Sequence, residues 1–217
     1  MKKLLLFLFA VLLVTLFSTC SFLYPLNPWD DANVYMTIGN AMLAGKELYV
    51  DIFDHKGPVL FFLHEWAAML SRSSFVGIYL IEIVCCYFFL LYSLKMMRLF
   101  TASTLTIPLT CLLGILTYSS DFFSYGDSVE EFALPLFAHS LYLMLKFVRD
   151  REVPSRFQSL VMGLGVALLF WMKRISRIMM PLPSTPPCLF SSPLRSRRSS
   201  PMNIPSCRRM MRSRRRI

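Results

Sequence analysis

Uncharged apolar blocks constrain this chain more than any other feature of its sequence. A helix that crosses a bilayer needs roughly 17 to 25 apolar residues, and the blocks approach or reach that length. The predicted spans are residues 4–24, 75–94, 105–123, 131–147 and 158–172. Because 55% of the 217 residues are hydrophobic, the chain has more apolar surface than a soluble domain of this size can bury. We therefore expect an all-α, polytopic bundle of membrane helices.

The first block allows two interpretations. It follows Met1-Lys2-Lys3 and contains no charged residue, a pattern shared by a first span and a cleaved signal peptide. The signal peptide stays open as an alternative. As a span, the block leaves the N-terminus in the cytoplasm, because Lys and Arg prefer that side.

Charged residues alternate along the chain as this orientation requires. Lys and Arg dominate residues 95–98 and 146–156, whereas Asp and Glu dominate residues 25–74 and 121–131. Loops on the cytoplasmic side carry the excess of Lys and Arg, so the acidic segments are predicted to lie outside. The sequence thus predicts a multi-pass protein of the cell membrane with a cytoplasmic N-terminus.

The last part of the chain, residues 174–217, has a different composition. From Lys173 onward the sequence holds 12 of the 23 Lys and Arg, none of the 13 Asp and Glu, and 7 of the 13 prolines. Residues 1–172 keep 11 basic and 13 acidic residues, a net charge of −2. A basic segment rich in Pro, Ser and Arg cannot build a core and is predicted to be disordered.

Two origins of this basic tail are considered. A native tail could bind nucleic acid or anionic lipid, yet Phe190 is its one aromatic residue, so it lacks the stacking groups of a single-strand binder. It would also emerge on the outer side after an odd number of spans, against the positive-inside rule. We favour out-of-frame translation after a frameshift, and expect no nucleic-acid partner.

Two short helices are predicted in the first outer loop, residues 25–74. The first covers residues 32–44 and is stopped by Gly45. The second starts at Gly57-Pro58, a pair suited to the N-cap and first position of a helix. At about 13 residues it is too short to span, so both helices are expected to lie at the membrane interface.

Asp30 and Asp31 stand where the first of these helices begins. A helix N-terminus stabilises carboxylates, and a capping role would explain both residues without any chemistry. The spacing alone leaves capping and function as alternatives.

The stretch "DIFDHKGP" gathers four ionisable residues ahead of the second helix. Lys56 and the free N–H groups of the helix start would form an anion site, and at a membrane surface the expected anion is a lipid phosphate. Asp51, Asp54 and His55 could bind a divalent cation, tune Lys56, or pair with it in a surface salt bridge of little energetic value.

Two longer stretches resemble a known enzyme family. The run after Asp31, "YMTIGNAMLAGKELYVDIFDHKGPVLFF", and the later "GDSVEEFALPLFAHSLYL" resemble bacterial multi-spanning glycosyltransferases of the GT-C type, related to protein O-mannosyltransferases and lipid A aminoarabinose transferases. The resemblance covers about residues 1–173 and only the N-terminal part of such enzymes, so we expect a truncated chain whose activity is open. It implies inverting transfer of a sugar from a polyprenyl-phosphate carrier to an envelope lipid or polysaccharide on the outer face.

The resemblance also implies roles for single residues. Asp31 corresponds to the general base, with Asp30 as the alternative because the doubled acid leaves the register open. Lys56 corresponds to the residue that binds the donor phosphate, with His55 beside it, and Asp54 and Asp51 would support the site.

The paired glutamates Glu130 and Glu131 match a pair that opens a later span in the family. They are expected to support the substrate site. The same stretch, Ser128-Val129-Glu130-Glu131, is also a capping box, so a structural role explains them about as well.

Two ionisable residues, Glu82 and His139, fall within predicted spans. A charge at the centre of a spanning helix costs roughly 2.5 to 3.5 kcal/mol on insertion scales. We expect structural roles for both, either as a hydrogen bond between them or with Glu82 protonated.

A non-catalytic polytopic protein, such as a transporter or assembly factor, is the alternative function. Transport predicts ionisable groups facing each other across several spans. In this sequence they collect in the outer loops, which favours surface chemistry on a lipid-linked substrate.

Overall fold

Helices form the regular structure of the described residues, 2–120 and 126–173 of a computed structural model. This part of the chain folds into α1 (Lys2–Phe17), α2 (Asp30–Leu43), α3 (Pro58–Leu70), α4 (Val76–Phe100), α5 (Thr106–Tyr118), α6 (Val129–Asp150) and α7 (Arg156–Lys173). The all-α prediction is confirmed for these residues. The predicted basic tail lies outside them.

Helices α4 and α6, with 25 and 22 residues, are long and apolar enough to cross a membrane. Among the described residues, the apolar helices α1, α3, α5 and α7 are shorter. The predicted span 75–94 lies within α4 except for Phe75, its N-cap, and α4 continues to Phe100. The predicted span 131–147 lies within α6, which extends past both predicted ends.

The first predicted span gives a shorter helix than expected. The block 4–24 forms α1, which ends at Phe17. Beyond it, the Ser21 hydroxyl donates to the Thr15 carbonyl over 2.8 Å, and hydroxyl side chains of this kind compete with the helical hydrogen bonds. The block 105–123 likewise gives the 13-residue α5.

Several helix ends follow their local sequence signals. Gly57 is the N-cap of α3 and Pro58 is its first residue, as predicted. Gly45, with φ 86°, follows the end of α2, because glycine takes the left-handed conformation without steric cost. Ser128 caps α6, its hydroxyl accepting from the Glu131 N–H over 3.1 Å.

Helix α4 is the central element, packing against α1, α3, α5 and α6, while α2 packs on α3, and α7 on α6 and α3. The core includes Leu60, Ile78 and Leu90, each with no exposed surface. Helices α2 and α3 approach so closely that a Cβ on Gly39 would lie 2.6 Å from the His64 carbonyl carbon. This packing brings the N-terminal parts of α2, α3, α4 and α6 together.

Candidate functional site

The first turn of α2 places a carboxylate next to a tyrosine. The N-cap position belongs to Trp29, which makes no side-chain capping bond, so neither Asp30 nor Asp31 is the cap. The Tyr35 hydroxyl, one turn later, donates to Asp31 Oδ2 over 3.1 Å. Burial and the nearby Asp31 carboxylate hold the pKa of Tyr35 well above its usual value, so this hydroxyl stays a donor.

Lys56 lies opposite Asp31, in the segment that precedes α3. Its Nζ is 3.9 Å from Asp31 Oδ2 and 6.0 Å from the centroid of the Tyr35 ring. Its backbone is held on both sides, since its N–H donates to Asp54 Oδ1 over 2.9 Å and its carbonyl accepts from the Tyr49 hydroxyl over 2.6 Å. Burial, with the nearby Asp54 charge, raises the pKa of Tyr49 to about 12. The ammonium therefore projects from a fixed backbone.

Tyr35 and Lys56 line a cavity of about 170 Å³, and Asp31 contacts both of these residues. We name this cavity the Asp31–Lys56 pocket. It lies where α2, the segment before α3 and the start of α6 meet. Its lining residues are Trp29, Tyr35, Lys56, Gly126, Ser128, Val129 and Glu130. Sites for drug-sized ligands measure about 300–1,000 Å³, so this cavity suits a small polar group rather than a whole lipid-linked sugar.

The predicted site residues divide into two groups. Lys56 and Glu130 line the pocket, and Asp31 adjoins it through its contacts with Lys56 and Tyr35. The others lie away from its lining: Asp30 is exposed, Glu131 is buried, and Asp51, Asp54 and His55 make local contacts in the segment before α3.

Those local contacts involve mainly backbone groups. Asp51 accepts from the Glu47 N–H over 3.0 Å, and Asp54 is occupied by the Lys56 N–H. His55, with its side chain 67% exposed, pairs with Asp54 at 3.4 Å. Of these residues, Asp54 supports Lys56 most directly, through its backbone.

A buried polar cluster lies beneath the pocket, and the sequence did not predict its centre. His64 and Asp127 have no exposed surface. His64 Nε2 is 2.9 Å from Asp127 Oδ1 and 3.0 Å from Oδ2, while Nδ1 lies 2.8 Å from the Leu60 carbonyl. The Tyr35 ring packs edge-on against His64 at a centroid distance of 5.4 Å, so the pair contacts the wall of the pocket.

The His64–Asp127 pair must hold a proton. A carbonyl oxygen only accepts, so Nδ1 donates to Leu60, and a proton must then lie between Nε2 and the carboxyl group. Burial lowers the pKa of His64, but the charge and hydrogen bond of Asp127 outweigh it and raise that pKa overall. Burial also raises the pKa of Asp127, against the effect of His64.

Glu82 of α4 also belongs to this cluster. Its Oε2 accepts from the Ser18 hydroxyl over 2.6 Å, and its Oε1 accepts from the Asp127 N–H over 2.6 Å. The suggested bond between Glu82 and His139 is therefore wrong, since His139 instead packs edge-on against Tyr92 at 4.7 Å. The expected structural role of Glu82 stays a prediction, now with named contacts.

Glu131, unlike its neighbour Glu130, faces inward and is fully buried. Tyr118 and Asp127 are among its neighbours. Among the described residues, no group of three or more His, Cys, Asp or Glu side chains is arranged to hold a metal ion. The suggested divalent cation thus has no ligand set in this part of the chain.

Comparison of the chain with protein-family models, with curated proteins and with solved structures finds no match.

Proposed function

We propose that the chain is a membrane glycosyltransferase, or the N-terminal part of one, that moves a sugar from a polyprenyl-phosphate carrier to an envelope acceptor on the outer face of the cell membrane. The observation that carries this proposal is the Asp31–Lys56 pocket. The Lys56 ammonium lines a cavity of the size of a small polar group, and the partly exposed Asp31 carboxylate lies 3.9 Å from that ammonium.

The exposed side chains favour a lipid environment. Helix α4 exposes Val76, Leu80, Val84 and Phe88, one residue per helical turn along a single face. Large contiguous apolar patches are rare on soluble monomers and mark contact surfaces, so this stripe supports contact with lipid. Helix α3 similarly exposes Phe62, Trp66 and Met69, as expected for a helix at the membrane interface.

In the proposed reaction, Asp31 acts on the acceptor and Lys56 acts on the leaving group. The acceptor hydroxyl or amine loses its proton to Asp31 as its oxygen or nitrogen bonds to the anomeric carbon. The bond between that carbon and the phosphate oxygen breaks at the same time, and its electron pair leaves with the polyprenyl phosphate. Lys56 stabilises the negative charge on this leaving group.

The non-catalytic alternative draws support from the buried cluster, because ionisable groups inside membrane proteins often belong to ion paths. Glu82 lies in the first third of α4, and Glu131 lies at the start of α6. Asp127 contacts Glu82 and His64 beside them. A path would continue along the spans, whereas His139, further along α6, makes no described hydrogen bond. The cluster therefore fits support of a surface site better.

Replacing Lys56 tests the phosphate site directly. We expect K56A to weaken binding of a polyprenyl phosphate at least tenfold in nanodiscs of neutral lipid, because it removes the cation that lines the pocket. K46A is the matched control, since Lys46 is an exposed lysine of the same loop, and should bind as the wild type does. The matching polyprenol, which lacks the phosphate, reports binding of the tail alone.

Equal binding of polyprenyl phosphate and polyprenol by the wild type would contradict the proposal.

Asp31→Asn separates binding from chemistry in the same system. It removes a negative charge next to Lys56, so phosphate binding should be retained or strengthened, while any transfer that the chain supports should be lost. Weaker phosphate binding in D31N would count against the assigned roles.

A further inference from the structure

The wall of the pocket opposite Lys56 begins with an unusual backbone turn. Gly126 has φ 73° and Asp127 has φ 52°, so two consecutive residues adopt the left-handed conformation. That conformation is sparsely populated by residues other than glycine, and it persists where the surroundings enforce it. Gly126 lines the pocket and Ser128 follows as the cap of α6, so the turn fixes where the wall lies.

Three buried side chains enforce this turn. Glu82 accepts from the Asp127 N–H, and His64 binds the Asp127 carboxyl group through Nε2. A Cβ on Gly126 would overlap the Ser18 hydroxyl and come within 2.8 Å of Glu82 Oε1. The turn is therefore held by Ser18, the residue after α1, together with α3 and α4. Helix α3 is the helix that follows Lys56 in the chain.

We propose that His64 and Asp127 are positioning residues that hold the wall formed by residues 126–130 at a fixed distance from Lys56 and Asp31. The ligand assigned to the pocket rests on the proposed function, whereas the clamp itself rests on geometry. His64 links the two sides, because its ring contacts Tyr35 on the Asp31 side and Asp127 on the wall side.

Two substitutions at position 127 separate side-chain clamping from backbone preference. Asn tolerates the left-handed conformation, and its amide donates to Nε2 of a neutral His64, so D127N keeps both the turn and the clamp. Gly adopts the conformation freely but has no side chain, so D127G keeps the turn without the clamp.

We expect D127N to bind the polyprenyl phosphate within about twofold of the wild type, and D127G to bind at least tenfold more weakly. Hydrogen exchange of the peptide covering residues 126–132 should be faster in D127G and unchanged in D127N. Elution as a single species and an unchanged far-ultraviolet circular dichroism spectrum check the fold of each variant. Gly126→Ala, which displaces the turn from the other side, should behave as D127G does.

Two results would overturn the clamp: D127G that matches the wild type in both exchange and binding, or D127N that loses as much as D127G. If the wild type binds phosphate no better than polyprenol, the proposed function fails. The exchange data then decide on the clamp alone, which stands only if exchange rises in D127G and not in D127N.

Discussion

At the scale of the residue, the fully buried His64–Asp127 pair holds one proton between Nε2 and the carboxyl group. The pair is neutral overall, whether the proton lies on the imidazole or on the carboxyl group. In the unfolded chain above pH 6.5, the carboxylate is ionised and the imidazole is mostly neutral. Those two side chains then carry only the N–H proton of the imidazole, one proton fewer than the folded pair. Folding therefore takes up about one proton at this pair.

This uptake makes stability depend on pH. Both pKa values are raised in the folded state, so the contribution of the pair is present at low pH and is lost as the pH rises above 6.5. One extra bound proton corresponds to a loss of about 1.4 kcal/mol per pH unit. We expect the midpoint temperature of unfolding in detergent to fall more steeply between pH 7 and 9 for the wild type than for D127N.

The D127N variant is the control, because an asparagine side chain does not ionise between pH 7 and 9. Its pair with a neutral His64 therefore takes up no proton on folding. The other ionisable groups around the pair, namely Glu82, Glu131, Asp31 and Tyr35, are present in both proteins, and to a first approximation their effects cancel in the comparison. Parallel curves for the two proteins would show that the pair takes up no proton on folding.

At the scale of the element, the close approach of α2 and α3 positions the pocket. Tyr35 of α2 packs on Phe61 and His64 of α3, with ring centroids 6.0 and 5.4 Å apart. This contact is possible because Gly39, one turn later in α2, has no side chain to separate the helices. The small residue at this crossing thus sets how closely α2, which carries Asp31, approaches α3.

We expect Gly39→Ala to lower the free energy of unfolding by about 1–3 kcal/mol, because its Cβ would meet the His64 backbone, which cannot move without shifting α3. Gly163→Ala is the matched control. Gly163 is also helical, and a Cβ there has nothing within 4 Å, so alanine should leave stability unchanged or raise it by about 0.5–1 kcal/mol. Thermal unfolding of both variants in detergent measures the difference. A G39A protein as stable as G163A would show that the crossing tolerates a wider spacing.

At the scale of the whole molecule, local signals predicted the helices well and their ends less well. Gly57-Pro58 marked the start of α3 because the two residues act on their own backbone. Block length overestimated α1 and α5, since Ser and Thr count as tolerable in an apolar block but can end a helix through their hydroxyl groups. Where such a helix ends depends on partners distant in sequence. Ser18, the residue after α1, donates its hydroxyl hydrogen bond to Glu82 of α4.

The candidate site was predicted only at its surface. Asp31, Lys56 and Glu130 stood out as ionisable groups near helix starts. The fold pairs Lys56 with Asp31 and places Lys56 and Glu130 on one pocket. His64 sits in an apolar helical pattern that predicts burial but no partner. Its partner Asp127 is 63 residues away, and neither periodicity nor spacing pairs residues at that distance. The one available signal was Glu82 inside a predicted span.

The orientation of the bundle is the prediction on which the proposed chemistry depends. Val50 precedes Lys56 in the predicted first outer loop. Val153 lies in the connection between α6 and α7, which the distribution of Lys and Arg predicts to be cytoplasmic. Their exposures are nearly equal, 77% and 78%, so differences in labelling report the side of the membrane. In a chain with its six cysteines replaced by serine, we expect a membrane-impermeant maleimide to label V50C in intact cells and V153C only after permeabilisation. The reverse pattern would put Asp31 and Lys56 in the cytoplasm, where a carrier presented on the outer face could not reach them.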